Sequence, residues 1–228
     1  MSRDSWIRAL FAHGKILPLA ASVVLIFAPP QVLGQNAQSL PRTNSDYIHH
    51  LEDPQRNEWQ KPEEVVAKLG LKAGDAVADL GAGSGYFTMR FAHAVGPTGK
   101  VYAIDVLPEM LDYVRQRAQM EGLKNIELVQ ASPHDPKLAA ASVDMIFICD
   151  TLHHIDDRPT YYPLLVKALR PGGRLVNVDF HKKPLPFGPP LEMKIDKPAM
   201  IEEAKSAGFR LIEDFDFLPY QYFLIFQR

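Results

Sequence analysis

The run Asp79-Leu80-Gly81-Ala82-Gly83-Ser84-Gly85 constrains this chain more than any other stretch. It follows a short apolar segment, Asp75 to Leu80, and leads into a segment of helical character, Tyr86 to Val95. Glycines at alternate positions permit a sharp strand-to-helix turn and let a ligand approach the backbone closely. The helix start behind the turn offers unpaired N–H donors. The rest of the chain keeps the same alternation. Helices are predicted over Pro62 to Leu69, Pro108 to Glu121, Tyr161 to Leu169 and Lys197 to Ala207, several opened by proline and closed by glycine. Strands are predicted over Lys100 to Val106, Ile126 to Gln130, Val143 to Cys149 and Arg174 to Phe180. Such alternation builds βαβ units, and so an α/β, doubly wound, mostly parallel sheet. The last two runs, Leu211 to Phe217 and Gln221 to Phe226, are separated only by a tight turn at Pro219-Tyr220, so they must pair antiparallel.

A glycine-rich turn by itself is also what a plain strand-to-helix connection uses. Asp105 adds information: it ends the second strand twenty residues beyond Gly85, where a doubly wound fold places a carboxylate for ribose hydroxyls. Tyr86 occupies the position at which a dinucleotide fingerprint has its third glycine, and no Gly-Lys-Ser/Thr follows to make a phosphate-binding loop. Asp79, two residues ahead of the first glycine, would repel a pyrophosphate and attract an ammonium or sulfonium cation. S-adenosylmethionine carries both of those cations.

Four motifs then carry a resemblance: D-L-G-A-G-S-G (79–85), A-I-D-V (103–106), S-V-D-M-I-F-I-C-D-T-L-H-H-I (142–155) and L-R-P-G-G-R-L-V (169–176). In this order and spacing, residues 59–228 resemble a class I S-adenosylmethionine-dependent methyltransferase of the type-11, UbiE-like group. The resemblance implies a Rossmann-like sheet of seven strands in the order 3-2-1-4-5-7-6. It implies that Gly81, Ala82 and Gly83 line the methionine and ribose part of the cofactor, with Asp79 near the ammonium. It further implies that Asp105 takes the ribose hydroxyls and that Val106 packs on the adenine. Ser132 stands where such proteins usually place an aspartate for the adenine amino group, with His134 and Asp135 close by. Asp150, just past the fourth strand, falls where cofactor and acceptor meet.

His153 and His154 follow Asp150. One of them is a candidate general base, since imidazole titrates near neutrality; the alternative is a packing pair at a strand end. Trp59 either closes the site or anchors the core. The Pro-rich stretch from Lys182 to Pro190 shapes a substrate loop or packs rigidly at the surface, and Tyr220 and Tyr222 belong to hairpin packing. No metal site is expected: Asp150 could begin a catechol-type set, but Asp179 is followed by Phe180 rather than Asn. The single cysteine, Cys149, excludes a thiolate-rich centre and an internal disulfide.

With 25 Lys+Arg against 27 Asp+Glu in 228 residues, the chain lacks the basic excess of a phosphate-neutralising nucleic-acid binder. At the N-terminus, Arg3, Arg8 and Lys15 precede an apolar run from Ile16 to Ala28, and Val32-Leu33-Gly34 offers a cleavage site before Gln35. The run is short of the roughly 20 residues needed to span a bilayer. Residues 1–34 therefore read as a signal peptide and the protein as exported, to the periplasm; an uncleaved inner-membrane anchor is the alternative. Residues 35–58 read as a linker and N-terminal segment, and 59–228 as the catalytic domain. The expected activity is methyl transfer to a small-molecule or lipid-like acceptor. Export argues for the alternative, a catalytically idle S-adenosylmethionine- or nucleotide-binding sensor or assembly factor, because the methyl donor is cytosolic.

Overall fold

The computed structural model describes residues 44–228. The signal segment expected over residues 1–34, and the start of the expected linker, lie outside them. No helix among the described residues is long and apolar enough to cross a membrane.

Seven strands form one sheet: β1 (Ala76–Leu80), β2 (Lys100–Asp105), β3 (Ile126–Gln130), β4 (Val143–Cys149), β5 (Leu169–Phe180), β6 (Arg210–Phe215) and β7 (Gln221–Gln227). Their order is β3-β2-β1-β4-β5-β7-β6, as expected. Strands β1 to β5 pair in parallel, whereas β7 runs antiparallel between β5 and β6. The central strands are buried along nearly their whole length, which explains why they read as continuous apolar runs rather than alternating ones.

Helices cover both faces. On one, α3 (Pro62–Leu69), α4 (Tyr86–Val95) and α5 (Pro108–Met120) pack Val65, Leu69, Phe87, Phe91 and Val114 against Val77, Val101, Ala103 and Phe147. On the other, α6 (Arg158–Ala168) and α7 (Lys197–Ser206) pack Tyr162, Leu165, Met200 and Ala204 against Ala78, Ile146, Leu175 and Leu224.

Two boundaries differ from expectation by three residues or more. Helix α6 starts at Arg158 rather than Tyr161, because the Asp157 side chain caps it by accepting from the Thr160 N–H and Pro159 fits the first turn. Strand β5 begins at Leu169 and runs through Pro171-Gly172-Gly173, which were expected to separate helix from strand. Leu169 pairs with Val143, and a register shift between Val143 and Met145 absorbs the irregular residues.

Two further helices, α1 (Asn44–Leu51) and α2 (Arg56–Gln60), occupy most of the described part of the segment read as linker. Neither has an intrinsically strong sequence. They are held by contacts to the domain: the Glu52 carboxylate accepts from Ser84 Oγ at 2.5 Å and pairs with Arg117 at 2.7 Å, and the Tyr86 hydroxyl donates to Asn57 at 2.6 Å.

Candidate functional site

In an open parallel sheet, ligands bind beyond the carboxyl ends of the strands where the strand order reverses. Here that point lies between β1 and β4, and the turn from Gly81 to Gly85 sits on it. Gly81 and Ala82 donate their N–H groups to the Ile104 carbonyl, at 2.8 and 2.9 Å, which bends the chain back over β2. Gly81 and Gly83 have φ of 78° and 52°, in the left-handed region. A Cβ on Gly81 would fall inside the Thr151 side chain, so this glycine is needed for the close approach of the β1 and β4 ends. A Cβ on Gly83 would meet only the Leu51 methyl, at 3.1 Å. What lies over Gly83 is therefore the strap of α1, not the sheet.

Asp105 ends β2 and faces the turn. One carboxylate oxygen accepts from the Gly83 N–H at 2.8 Å and the other from the Leu107 N–H at 3.0 Å. Burial nonetheless raises its pKa above the ordinary carboxylate range, against the opposing pull of those N–H groups. Val106 follows with its side chain exposed, an apolar surface beside the turn. Asp79 is buried in β1 and accepts from Thr88 Oγ1 at 2.6 Å. Its burial pushes its pKa up to about 7.

The end of β4 supplies the next group. Asp150 takes a left-handed conformation, φ 53°, uncommon outside glycine although aspartate tolerates it better than most residues. Its N–H is fixed by the Val178 carbonyl at 2.9 Å, and its carboxylate accepts from Gln221 at 2.7 Å. Gln221 in turn accepts from Gln60 at 2.6 Å, so α2, β7 and the β4 end share one buried polar chain. Burial and the neighbouring Asp179 raise the Asp150 pKa to about 6.

His153 and His154 form a 3-10 turn after β4, their rings 4.3 Å apart, but their surroundings differ. The His153 side chain is 3% exposed, and its Nδ1 lies 3.0 Å from the fully buried carboxylate of Asp179. Burial alone would lower the His153 pKa; the hydrogen bond and charge of Asp179 outweigh it and raise it. His154 is exposed, with its pKa lowered by burial of part of the ring and by His153. Asp179, weighed in the sequence only as an incomplete metal ligand, is thus the partner of the buried histidine.

The structure brings Asp79, Gly81, Ala82, Gly83, Asp105 and Val106 together around one turn; Thr151, which packs on Gly81, stands in the chain between Asp150 and the His153 pair. Ser132 follows Ala131, whose N–H donates to the Asp105 carbonyl at 3.0 Å. Its backbone exchanges hydrogen bonds with Asp135 to close a small turn after β3. The Asp135 carboxylate, a nearby substitute, is held by the backbone and side chain of Lys137. Trp59 lies against Phe180, Phe187 and Tyr220, with ring centroids 5.6, 5.8 and 6.2 Å away. This aromatic group joins α2 and the Pro-rich loop to the start of β7, next to Gln60, whose hydrogen bond to Gln221 leads on to Asp150. Sequence reading missed Tyr47, Glu52 and Arg56. Tyr47 lies within reach of the charges of Asp105, Arg56 and Asp150, and Arg56 stands three residues before Trp59, but no local pattern marks either one.

Comparison with known proteins agrees with this geometry. A family model described as a methyltransferase domain matches residues 71–212. The ubiquinone/menaquinone biosynthesis C-methyltransferase UbiE of Hahella chejuensis is 34% identical over 124 residues, 54% of this chain and 50% of that protein. Its Francisella philomiragia counterpart is 33% identical over 130 residues, 57% and 51% of the two chains. The chain spans about half the length of the curated relatives it matches. A crystal structure of a SAM-dependent methyltransferase from Aquifex aeolicus superposes with a TM-score of 0.76 at 31% identity, covering 81% of this chain and 98% of that one.

The residues present fit S-adenosylmethionine. Gly83 keeps the turn bare of a side chain beneath the α1 strap, the carboxylates of Asp79 and Asp150 suit the cationic methionine end, and Asp105 with Val106 suits a ribose and a flat base. The matched family model, the strand order and this turn agree: the chain belongs to the methyltransferase domain family, in the class I group that uses S-adenosylmethionine.

Proposed function

We propose that this chain methylates a small-molecule or lipid-like acceptor, with His153 as the base that receives the acceptor's proton. The observation that carries the proposal is the buried pair of His153 and Asp179, 3.0 Å apart, two residues beyond the Thr151 that packs on Gly81. When bound, S-adenosylmethionine supplies a methyl group activated on a positively charged sulfur. Asp79, Gly81, Ala82, Gly83, Asp105 and Val106 would hold it and fix its orientation, and alignment is the larger part of catalysis in methyl transfer. Asp179 accepts the Nδ1 proton of His153, which fixes the tautomer and leaves Nε2 to take a proton from a nucleophilic carbon, oxygen or nitrogen. Asp150 and Gln221 border the same space.

An apolar acceptor is supported by the aromatic group of Trp59, Phe180, Phe187 and Tyr220, and by the exposed side chains of Phe187, Leu191 and Met193 on the adjoining loop. It is also supported by the C-methyltransferase names of the relatives. We further propose that the protein is exported, with the mature chain starting near Gln35.

The test is transfer of labelled methyl from S-adenosylmethionine to a panel of quinol and phenol acceptors of graded chain length. Asp179→Asn is expected to lower kcat at least about tenfold and to shift the acidic limb of the pH–rate profile, with S-adenosylhomocysteine affinity retained. Full activity in Asp179→Asn, or a parallel loss of cofactor binding, would remove His153 from this role.

A further inference from the structure

The half-buried guanidinium of Arg56 stands at the mouth of the glycine turn. It lies 4.0 Å from the ring centroid of Tyr86, the first residue of α4 and the residue directly behind the turn. Arginine carries five N–H donors and no acceptor. Two of the five go to neutral oxygens, the Leu51 carbonyl at 3.1 Å and the Gln60 amide at 3.4 Å. Among the described residues, no carboxylate forms an ion pair with Arg56. The neighbouring arginines differ. Arg90 is committed to Glu63 and the Tyr86 carbonyl, and Arg117 to Glu52 and the Ser84 carbonyl.

We propose that Arg56 binds the α-carboxylate of the cofactor's methionine moiety. That moiety carries one carboxylate beside its two cations. The acids around the turn suit the cations but repel the carboxylate, and an anion placed against them in a partly desolvated site needs a positive partner. Arg56 is already immobilised by Tyr86, Gln60 and Leu51, so little side-chain freedom is lost on pairing. Its field reaches the site: it draws down the pKa values of Asp79 and Asp150 against the effect of their burial. The same contact would tie α2 to the bound ligand, making the strap part of the binding site.

The test compares two ligands by calorimetry on the purified protein: S-adenosylhomocysteine, and its decarboxylated analogue, which retains the amine and the adenosine. Wild type is expected to prefer S-adenosylhomocysteine about tenfold or more, the scale of one charge-assisted pair. Arg56→Met is expected to abolish that preference while binding the analogue as wild type does. Arg56→Lys, which keeps the charge, is expected to restore part of the preference. Equal affinity of wild type for the two ligands would overturn the proposal even if Arg56→Met fails to fold. A uniform loss for both ligands in Arg56→Met would show that Arg56 only braces the strap, and would also overturn it. If wild type binds neither ligand, the cofactor assignment itself falls.

Discussion

Replacing Asp79 with asparagine should make the empty protein more stable and the cofactor weaker. Asp79 is fully buried, and its pKa moves from the model-peptide value of 3.8 up to about 7, chiefly through burial. In the folded state the proton is held more tightly than in the unfolded chain, so stability falls as pH rises from about 4 towards 7 and then levels off. A shift of roughly 3 units corresponds to about 4 kcal/mol of destabilisation above pH 8, of which about 2 kcal/mol accumulates between pH 5.5 and 8. Asparagine keeps the oxygen that accepts from Thr88 and removes the charge. In urea unfolding, Asp79→Asn should flatten this part of the pH dependence and gain on the order of 2–4 kcal/mol at pH 8. It should also bind S-adenosylhomocysteine more weakly, because the carboxylate that burdens the empty fold favours the ligand's ammonium. Cofactor affinity in wild type should in turn rise with pH up to about 7 as Asp79 ionises. A variant with the wild-type pH slope, or one less stable than wild type at pH 8, would refute the reasoning.

Gly81→Ala should cost at least about 2 kcal/mol in urea unfolding, because strain at positive φ adds to a clash with Thr151, whereas Gly83→Ala should cost about 1 kcal/mol; equal costs would contradict the packing described. In an NMR titration of ring protons, the His153 pKa should drop on Asp179→Asn, and the stability its raised value supplies at low pH, lost in wild type as pH rises through that value, should shrink; an unmoved resonance would break the pairing. Glu52→Ala should cost about 1 kcal/mol and speed amide exchange across Asn44–Leu51; unchanged exchange would mean that α1 is held by something else. Mass spectrometry of the mature protein should find an N-terminus near Gln35, and an intact Met1 on a cytosolic fraction would refute export.

The sheet was legible because burial on both faces leaves its mark on every residue of a strand. Val143 to Cys149 could hardly be anything but a central strand, and the short Pro219-Tyr220 turn fixed the sense of the last pair. The cluster at the carboxyl ends was legible for a related reason: Asp79, Gly81, Gly83 and Asp105 are tied to strand ends whose neighbours the topology dictates. The strap was not. Helices α1 and α2 are too short to be stable alone, and the pairing of Glu52 with Arg117 bridges 65 positions that no local pattern links. The role of Asp179 was hidden for the same reason, since β5 meets the turn after β4 only in the folded sheet. The turn after β3 shows the same limit: the backbone hydrogen bonds between Ser132 and Asp135 that close it leave no mark in the local sequence pattern.

Calorimetric titration of S-adenosylhomocysteine into the wild-type protein and into Gly83→Val tests the central claim most directly. Gly83 lies where the backbone must run close to the ligand, and its nearest obstacle is only the Leu51 methyl on the strap, so the core strands do not depend on it. The account predicts saturable one-to-one binding to wild type and none to a folded Gly83→Val. Absence of binding to wild type, or full binding to the variant, would contradict it.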